Sequence, residues 1–303
     1  MKIKNILTGS IAAFAVFASQ ASAEIVLADG LSAYGYIDVA YTDADNGTDL
    51  SGGAAEFELG FSFAPEGSAW SAVAEISFDN DETANEDDKN SEFETVTLTY
   101  AASDSLSFTI GNILSYQGFE TYDATGLYQY SYSGYGANNN GVLYSAGYAN
   151  GACVDYSAGD IALGAWIGDS SGDASIELLL AYTGIEGLTA KYIYADDPAY
   201  ETNNFWASYE TGALTFAGEY VDTEYTNNDT LESMMGLVYY SMGDAGITFR
   251  YSDVEYSGVE YTKLTVSPSY SFSDNVFGLV EVSSEDYNDD DFVSFAAELI
   301  YSF

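Results

Sequence analysis

The sequence predicts an all-β chain: a transmembrane, antiparallel up-and-down barrel of about 16 strands. Three observations carry this. From Leu31 onward, apolar and polar residues alternate with period 2, which sends successive side chains to opposite faces of a strand. Most alternating segments run about 9–11 residues, enough to cross a bilayer at a tilt. The connections between them alternate in kind, long and polar then short, as outer loops and inner turns do at the two ends of a membrane barrel.

Residues 1–23 read as a signal peptide and residues 24–303 as the barrel. Lys2 and Lys4 precede an apolar run from Ile6 to Ala18, and Ala21-Ser22-Ala23 has the small-x-small form of a cleavage site. No later segment has about 18 uncharged apolar residues in a row, so a membrane would be crossed by strands closed on themselves.

The remaining chain is acidic. It holds all 48 Asp and Glu residues of the sequence, for a formal charge of −42 over the whole. Against them stand Lys89, Lys191, Arg250 and Lys263. Nucleic acid and anionic surfaces are excluded as partners by repulsion. A solvated surface in a saline habitat explains acids in loops; it does not explain acids at regular positions in strands. Hydrophobic residues at 47% and aromatics at 16% are too many for a disordered chain. Cys153 stands alone, so no internal disulfide forms. The chain lacks histidine, which removes Ser-His and Cys-His nucleophile pairs and histidine metal sites. No enzyme is expected.

Taken in order, the strands are predicted at 31–43, 54–63, 70–78, 92–101, 106–113, 141–156, 161–168 and 175–182. They continue at 188–195, 204–211, 214–223, 231–241, 246–254, 261–272, 276–283 and 291–303. In the first, Ile37, Val39 and Tyr41 share one face and Tyr34, Tyr36 and Asp38 the other. The long connections are 44–53, 79–91, 114–140, 169–174, 196–203, 224–230, 255–260 and 284–290. In the last strand Tyr301 and Phe303 end the apolar face, as an assembly signal would.

With the apolar face toward lipid, the opposite face lines the lumen. It carries Asp38, Glu56, Glu58, Glu75, Glu94, Glu177, Glu210, Glu219, Glu281 and Glu298, with Lys191, Arg250 and Lys263 as its bases. Carboxylates focused in a water-filled channel concentrate cations and repel anions. They are spread around a wall, which argues against a catalytic pair.

The longest connection, Leu114–Asn140, has seven aromatics, four glycines, two acids and no base. It is too aromatic for a linker and is read as folding back into the lumen, where Glu120, Asp123, Tyr116 and Tyr122 would form the constriction. The alternative is a surface loop held by its own tyrosines. Two acidic runs, Asp79–Asp88 and Glu285–Asp291, are read as solvated loops; calcium or magnesium are the cations they would take if they bind any. No cofactor is expected.

Short patches add a resemblance. Tyr34-Gly35-Tyr36-Ile37-Asp38, Gly111-Asn112 followed by Gly118-Phe119-Glu120, and the terminal Phe303 resemble the opening strand, pore-loop entry and last residue of sixteen-stranded Gram-negative outer-membrane porins, or of a related β-barrel porin family. The resemblance implies passive diffusion of small hydrophilic solutes, outer-membrane lipid and the barrel assembly machinery as partners, and a homotrimer. Two departures stand out: the Pro-Glu-Phe-Gly-Gly loop motif is absent, and the arginine cluster opposite the loop is reduced to Lys191, Arg250 and Lys263. The expectation is a cation-preferring porin. A non-conducting structural or adhesive barrel with cation-binding loops is the alternative, and a soluble sandwich a distant third.

Overall fold

The computed structural model describes residues 24–44, 55–79, 91–121, 123–134, 141–144, 146–170, 173–287 and 290–303. The leader 1–23, Tyr122 and all but the first residue of the acidic run Asp79–Asp88 lie outside them.

Among the described residues there are seventeen strands. They are β1 (Ile25–Ala28), β2 (Leu31–Ala44), β3 (Ala55–Phe63), β4 (Trp70–Asp79), β5 (Ser91–Ser103), β6 (Leu106–Leu114), β7 (Tyr148–Ala158), β8 (Ile161–Ser170) and β9 (Asp173–Tyr182). The chain continues with β10 (Leu188–Asp197), β11 (Tyr200–Thr211), β12 (Leu214–Tyr225), β13 (Thr230–Met242), β14 (Ala245–Tyr256), β15 (Val259–Ser273), β16 (Val276–Tyr287) and β17 (Asp290–Ser302). From β2 to β17 every strand pairs antiparallel with its neighbour in sequence, and β17 pairs with β2, closing a 16-strand barrel. The short β1 pairs with the first residues of β2, alongside the place where β17 ends.

The closure is tight. The Gly35 N–H donates to the Phe303 carbonyl and the Phe303 N–H to the Gly35 carbonyl, each at 2.9 Å. A Cβ on Gly35 would stand 2.1 Å from the Glu58 carbonyl oxygen of β3, so the second residue of the Tyr34-Gly35-Tyr36 patch is glycine because the neighbouring backbone leaves no room.

The two-faced alternation is plainest from β9 onward, whereas residues 71–76 of β4 are half-buried on both faces. In β9, Ile176, Leu178, Leu180 and Tyr182 are exposed, whereas Ser175, Glu177, Leu179 and Ala181 are buried. Exposed Tyr182, Tyr209, Tyr240 and Tyr270 lie within a few residues of the short turns, where an interfacial girdle belongs.

The regular alternation of loop lengths does not hold. Long connections are confined to the first half of the chain: 45–54, 80–90 and 115–147. In the second half β10 ends at Asp197 and β11 starts at Tyr200, and β14 ends at Tyr256 and β15 starts at Val259. The acid-rich segments 196–203, 255–260 and 284–290 are thus mostly strand. Asp and Glu are poor strand residues in a half-buried sheet, but these strand ends run past the apolar band. Four acids stand directly opposite one another across exposed positions: Asp222 beside Glu232, Glu232 beside Glu255, Glu255 beside Glu260. Glu285, read as a loop acid, is buried in β16, where it accepts from Ser294 Oγ at 2.7 Å and pairs with Lys263 at 3.6 Å.

The sixth barrel strand starts at Tyr148, not at 141. Val142, Leu143 and Tyr144 belong to the long connection and are, with Ser133 and Gln129, among its most deeply buried residues. Three consecutive apolar residues suit a segment enclosed on all sides, which a strand with one lipid face and one wet face is not. Asn150-Gly151 passes through β7 as paired strand instead of turning the chain.

Candidate functional site

The described residues of the connection 115–147 fold into the barrel. Its polar backbone must find partners there, since buried N–H and C=O groups left unpaired are costly. The wall supplies them in sequence. Glu177 of β9 accepts from Ser115 Oγ at 2.6 Å, the Tyr116 N–H at 2.8 Å and Gln117 Nε2 at 3.3 Å. Asn204 of β11 accepts from the Gly118 N–H at 3.2 Å and Glu219 of β12 from the Phe119 N–H at 3.0 Å, the two side chains joined at 2.6 Å. Glu281 of β16 accepts from the Ser131 N–H at 3.0 Å and from its hydroxyl. Thr248 and Ser252 of β14 donate to the Tyr128 and Ser133 carbonyls, and Ser233 of β13 to the Leu143 carbonyl.

The charged centre of this docking is Arg250 of β14 and Glu120 of the loop, paired at 2.6 Å with side-chain exposures of 0% and 3%. Glu120 also accepts from Gln129 Nε2 at 2.8 Å and from the N–H and hydroxyl of Ser133 at 2.8 and 2.6 Å. Arg250 donates to the Ser131 carbonyl at 2.6 Å and the Tyr132 carbonyl at 3.0 Å. Glu120 therefore faces the wall and not the open lumen, which corrects its placement at the constriction. Arg250, Glu219 and Glu281 lie under the loop, while Glu177 also borders a second cavity of about 380 Å³ with Ser115, Tyr148 and Tyr200. Aimed at a loop of N–H donors, inward carboxylates become acceptors.

The loop's anchors run from β7 to β16, so the free lumen lies beside β2–β6. A cavity of about 460 Å³ opens on this side and reaches across to β10 and β11, lined by Tyr34, Glu58, Glu75, Lys191 and Trp206 from the wall and by Tyr116, Phe119 and Asp123 from the loop. Glu56, Glu58 and Glu94 place one oxygen each within 4.8 Å of one another, a concentration of negative charge on this side. Tyr34 Oη donates to Glu75 at 2.6 Å and Tyr36 Oη to Glu56 at 2.8 Å. Asp123 holds its own turn, accepting from the Thr125 N–H at 2.7 Å and hydroxyl at 2.6 Å. Burial pushes its carboxyl above the ordinary aspartate range, against those hydrogen bonds, which pull it down. Tyr116 reaches Asp155 of β7 at 2.7 Å, and burial beside that carboxylate raises its hydroxyl.

The other residues named from sequence divide in the same way. Lys191 borders the cavity, over the Trp206 ring at 4.8 Å. Asp38 and Glu298 are buried on the inner face beside the β17–β2 closure. Lys263 is taken up by Glu285, and Glu210 lies at the short-turn end, one residue from the end of β11. The sequence does not single out Asn204 or Trp206. Each shows a signal that was available: a large or polar side chain at an inward position of an alternating strand.

A closed barrel of sixteen strands with its longest connection docked inside is the architecture of the outer-membrane porins. Solved structures bear this out. A loop-deletion variant of OmpT, an outer membrane protein of Vibrio cholerae, superposes with a TM-score of 0.68 at 14% identity, covering 90% of this chain and 99% of that one. A mutant of the porin of Rhodopseudomonas blastica gives 0.66 at 14% identity, over 90% of this chain and all of the other. OmpT in its trimer form gives 0.65 at 13% identity, over 90% and 99%. At such identities the likeness is one of fold. No family model matches the sequence, and no curated protein does.

Proposed function

We propose that this chain is an outer-membrane porin: a water-filled, cation-preferring channel for passive diffusion of small hydrophilic solutes and ions, with no enzymatic role. The observation that carries the reading is the docking of 115–147 on one wall, which leaves an acid-lined cavity on the other. A constriction bounded by Glu58, Glu75 and Asp123 and backed by Glu56 and Glu94 attracts cations and excludes anions. In this reading residues 1–23 are removed on export. Tyr301 and Phe303 are read by the assembly machinery, and the barrel sits in outer-membrane lipid as a homotrimer; the trimer form of OmpT supports the last point by analogy of fold.

The test is current through single molecules in a planar bilayer, with the reversal potential measured under a potassium chloride gradient. Open steps with a reversal potential on the cation side are expected. Closed molecules that bind divalent cations would favour the structural or adhesive barrel instead. Anion preference would overturn the assignment of the acids.

A further inference from the structure

Three carboxyl groups converge on the inner face of neighbouring strands. Glu56 and Glu58 lie two residues apart on β3 and so point the same way. Glu94 joins them from β5, on the far side of β4. The β4–β5 pairing bulges there: Ala74 pairs with Val96 and Ile76 with Phe93, so Glu94 and Thr95 together stand opposite Glu75. A bulge re-aims side chains in this way. One oxygen from each of the three groups lies within 4.8 Å of the other two. Glu56 is held in place by the Tyr36 and Ser77 hydroxyls, which donate to it at 2.8 and 3.1 Å. Glu58 is different. It is only 6% exposed, yet its side chain accepts no hydrogen bond and meets no base among the described residues. It also borders the cavity of about 460 Å³, which opens a path to it from the lumen.

We propose that Glu56, Glu58 and Glu94 form a binding site for one calcium ion on the barrel wall. Calcium takes carboxylate oxygens at about 2.3–2.6 Å, so that two oxygens on one ion lie no more than roughly 5 Å apart. The three carboxyl groups meet that limit as they stand. Water from the cavity completes the shell. Magnesium demands a smaller, stricter octahedron and gives up its water reluctantly, so it binds less well. Potassium, with one charge, offsets less of the repulsion among three carboxylates. The Tyr36 and Ser77 hydroxyls orient Glu56 from behind, as outer partners of metal ligands do. The site rests on the channel reading only for access from the lumen, and it deepens that reading: the wall acids discriminate among cations as well as against anions.

The experiment is titration calorimetry with calcium and magnesium chloride on the folded full-length barrel in detergent. It is run at about pH 8, where fewer protons compete for the oxygens, and in about 0.3 M potassium chloride, which screens the exposed acids. One calcium per chain should bind roughly ten-fold or more tightly than magnesium. Glu58→Gln and Glu94→Gln should each weaken that site about ten-fold or more. Glu66→Gln, at an exposed position in the turn between β3 and β4, should leave it unchanged. Heat-modifiable mobility on a gel checks that each variant is folded, and either lumen variant decides the matter if the other does not fold. Calcium bound no more tightly than magnesium, bound equally by the parent and a folded lumen variant, or weakened as much by Glu66→Gln, overturns the proposal. Potassium currents recorded in parallel separate the two readings. Calcium binding lost in Glu58→Gln, with no current in the parent, removes the channel and keeps the site; current without such binding does the reverse.

Discussion

Arg250 and Glu120 meet at 2.6 Å across 130 residues of sequence, one on the barrel wall and one on the loop that fills it. The pair is out of water, and further hydrogen bonds occupy both partners. Removing one member of such a pair leaves the other charged and buried, at a cost of about 3–5 kcal/mol.

Glu120→Gln should therefore loosen the loop without opening the barrel. Amide hydrogen exchange across 115–147 should speed up while the strands keep their protection, and current noise should rise. Unchanged exchange would mean that the backbone contacts to Glu177, Glu219 and Glu281 suffice alone.

Asp123 should act differently, because it borders the free cavity. Asp123→Asn should lower cation preference with little change in conductance at high salt, where the Debye length is about 3 Å. Its raised carboxyl also fixes a sign. Ionised, the group opposes the docked state; protonation relieves that cost as pH falls through the raised value. Cation preference should accordingly begin to fall at a pH above the ordinary aspartate range, near 3.9 in model peptides. That component should vanish in Asp123→Asn. A selectivity titration identical in the two proteins would assign it to the wall acids.

Gly118 sits at φ +91°, and a Cβ there would come within 1.9 Å of the Tyr144 ring. Gly118→Ala should displace Tyr144 from the Glu120 carbonyl it donates to at 2.8 Å. The strained backbone adds about 1–3 kcal/mol. Loop exchange faster than in Glu120→Gln is the expected result; wild-type exchange would place the tight contact elsewhere.

Phe249 is 47% exposed on the outward face of β14. Phe249→Arg should lower stability in vesicles by about 2–4 kcal/mol if the residue lies near the bilayer midplane, against less than about 1.5 kcal/mol for Phe249→Leu. Urea unfolding in lipid measures both. Equal costs would mean that this face does not meet lipid.

The row Asp222, Glu232, Glu255 and Glu260 sets like charges directly opposite one another on neighbouring strands, an arrangement that destabilises a sheet. Salt or divalent cations should raise the unfolding midpoint, and Glu232→Gln with Glu255→Gln should flatten that dependence. A midpoint insensitive to ionic strength in the parent protein would show that the row is screened by water alone.

How much of this could be read from sequence depends on the range of the interaction. Period-2 alternation is local, and it placed strands such as β9 and β14 on the correct faces. The segments 196–203 and 255–260 are polar and so look like long loops in the sequence, although a strand end in water tolerates such residues. The loop's end was missed because Val142-Leu143-Tyr144 looks like a strand start, and its burial depends on a wall it meets only in three dimensions. Glu120 was placed at the constriction for the same reason. Nothing near it in sequence announces Arg250, so its charge could be seen but not its direction.

The reciprocal Gly35–Phe303 hydrogen bonds bear on how the barrel forms. Fifteen of the sixteen barrel pairings join strands adjacent in the chain, and most of those loops are short. The β17–β2 pairing alone brings together the two ends of the sheet. Local pairings form quickly, whereas loop-closure entropy opposes distant ones until late. The seam should thus be the last to zip and the first to part, giving an otherwise uniform wall a single line of weakness.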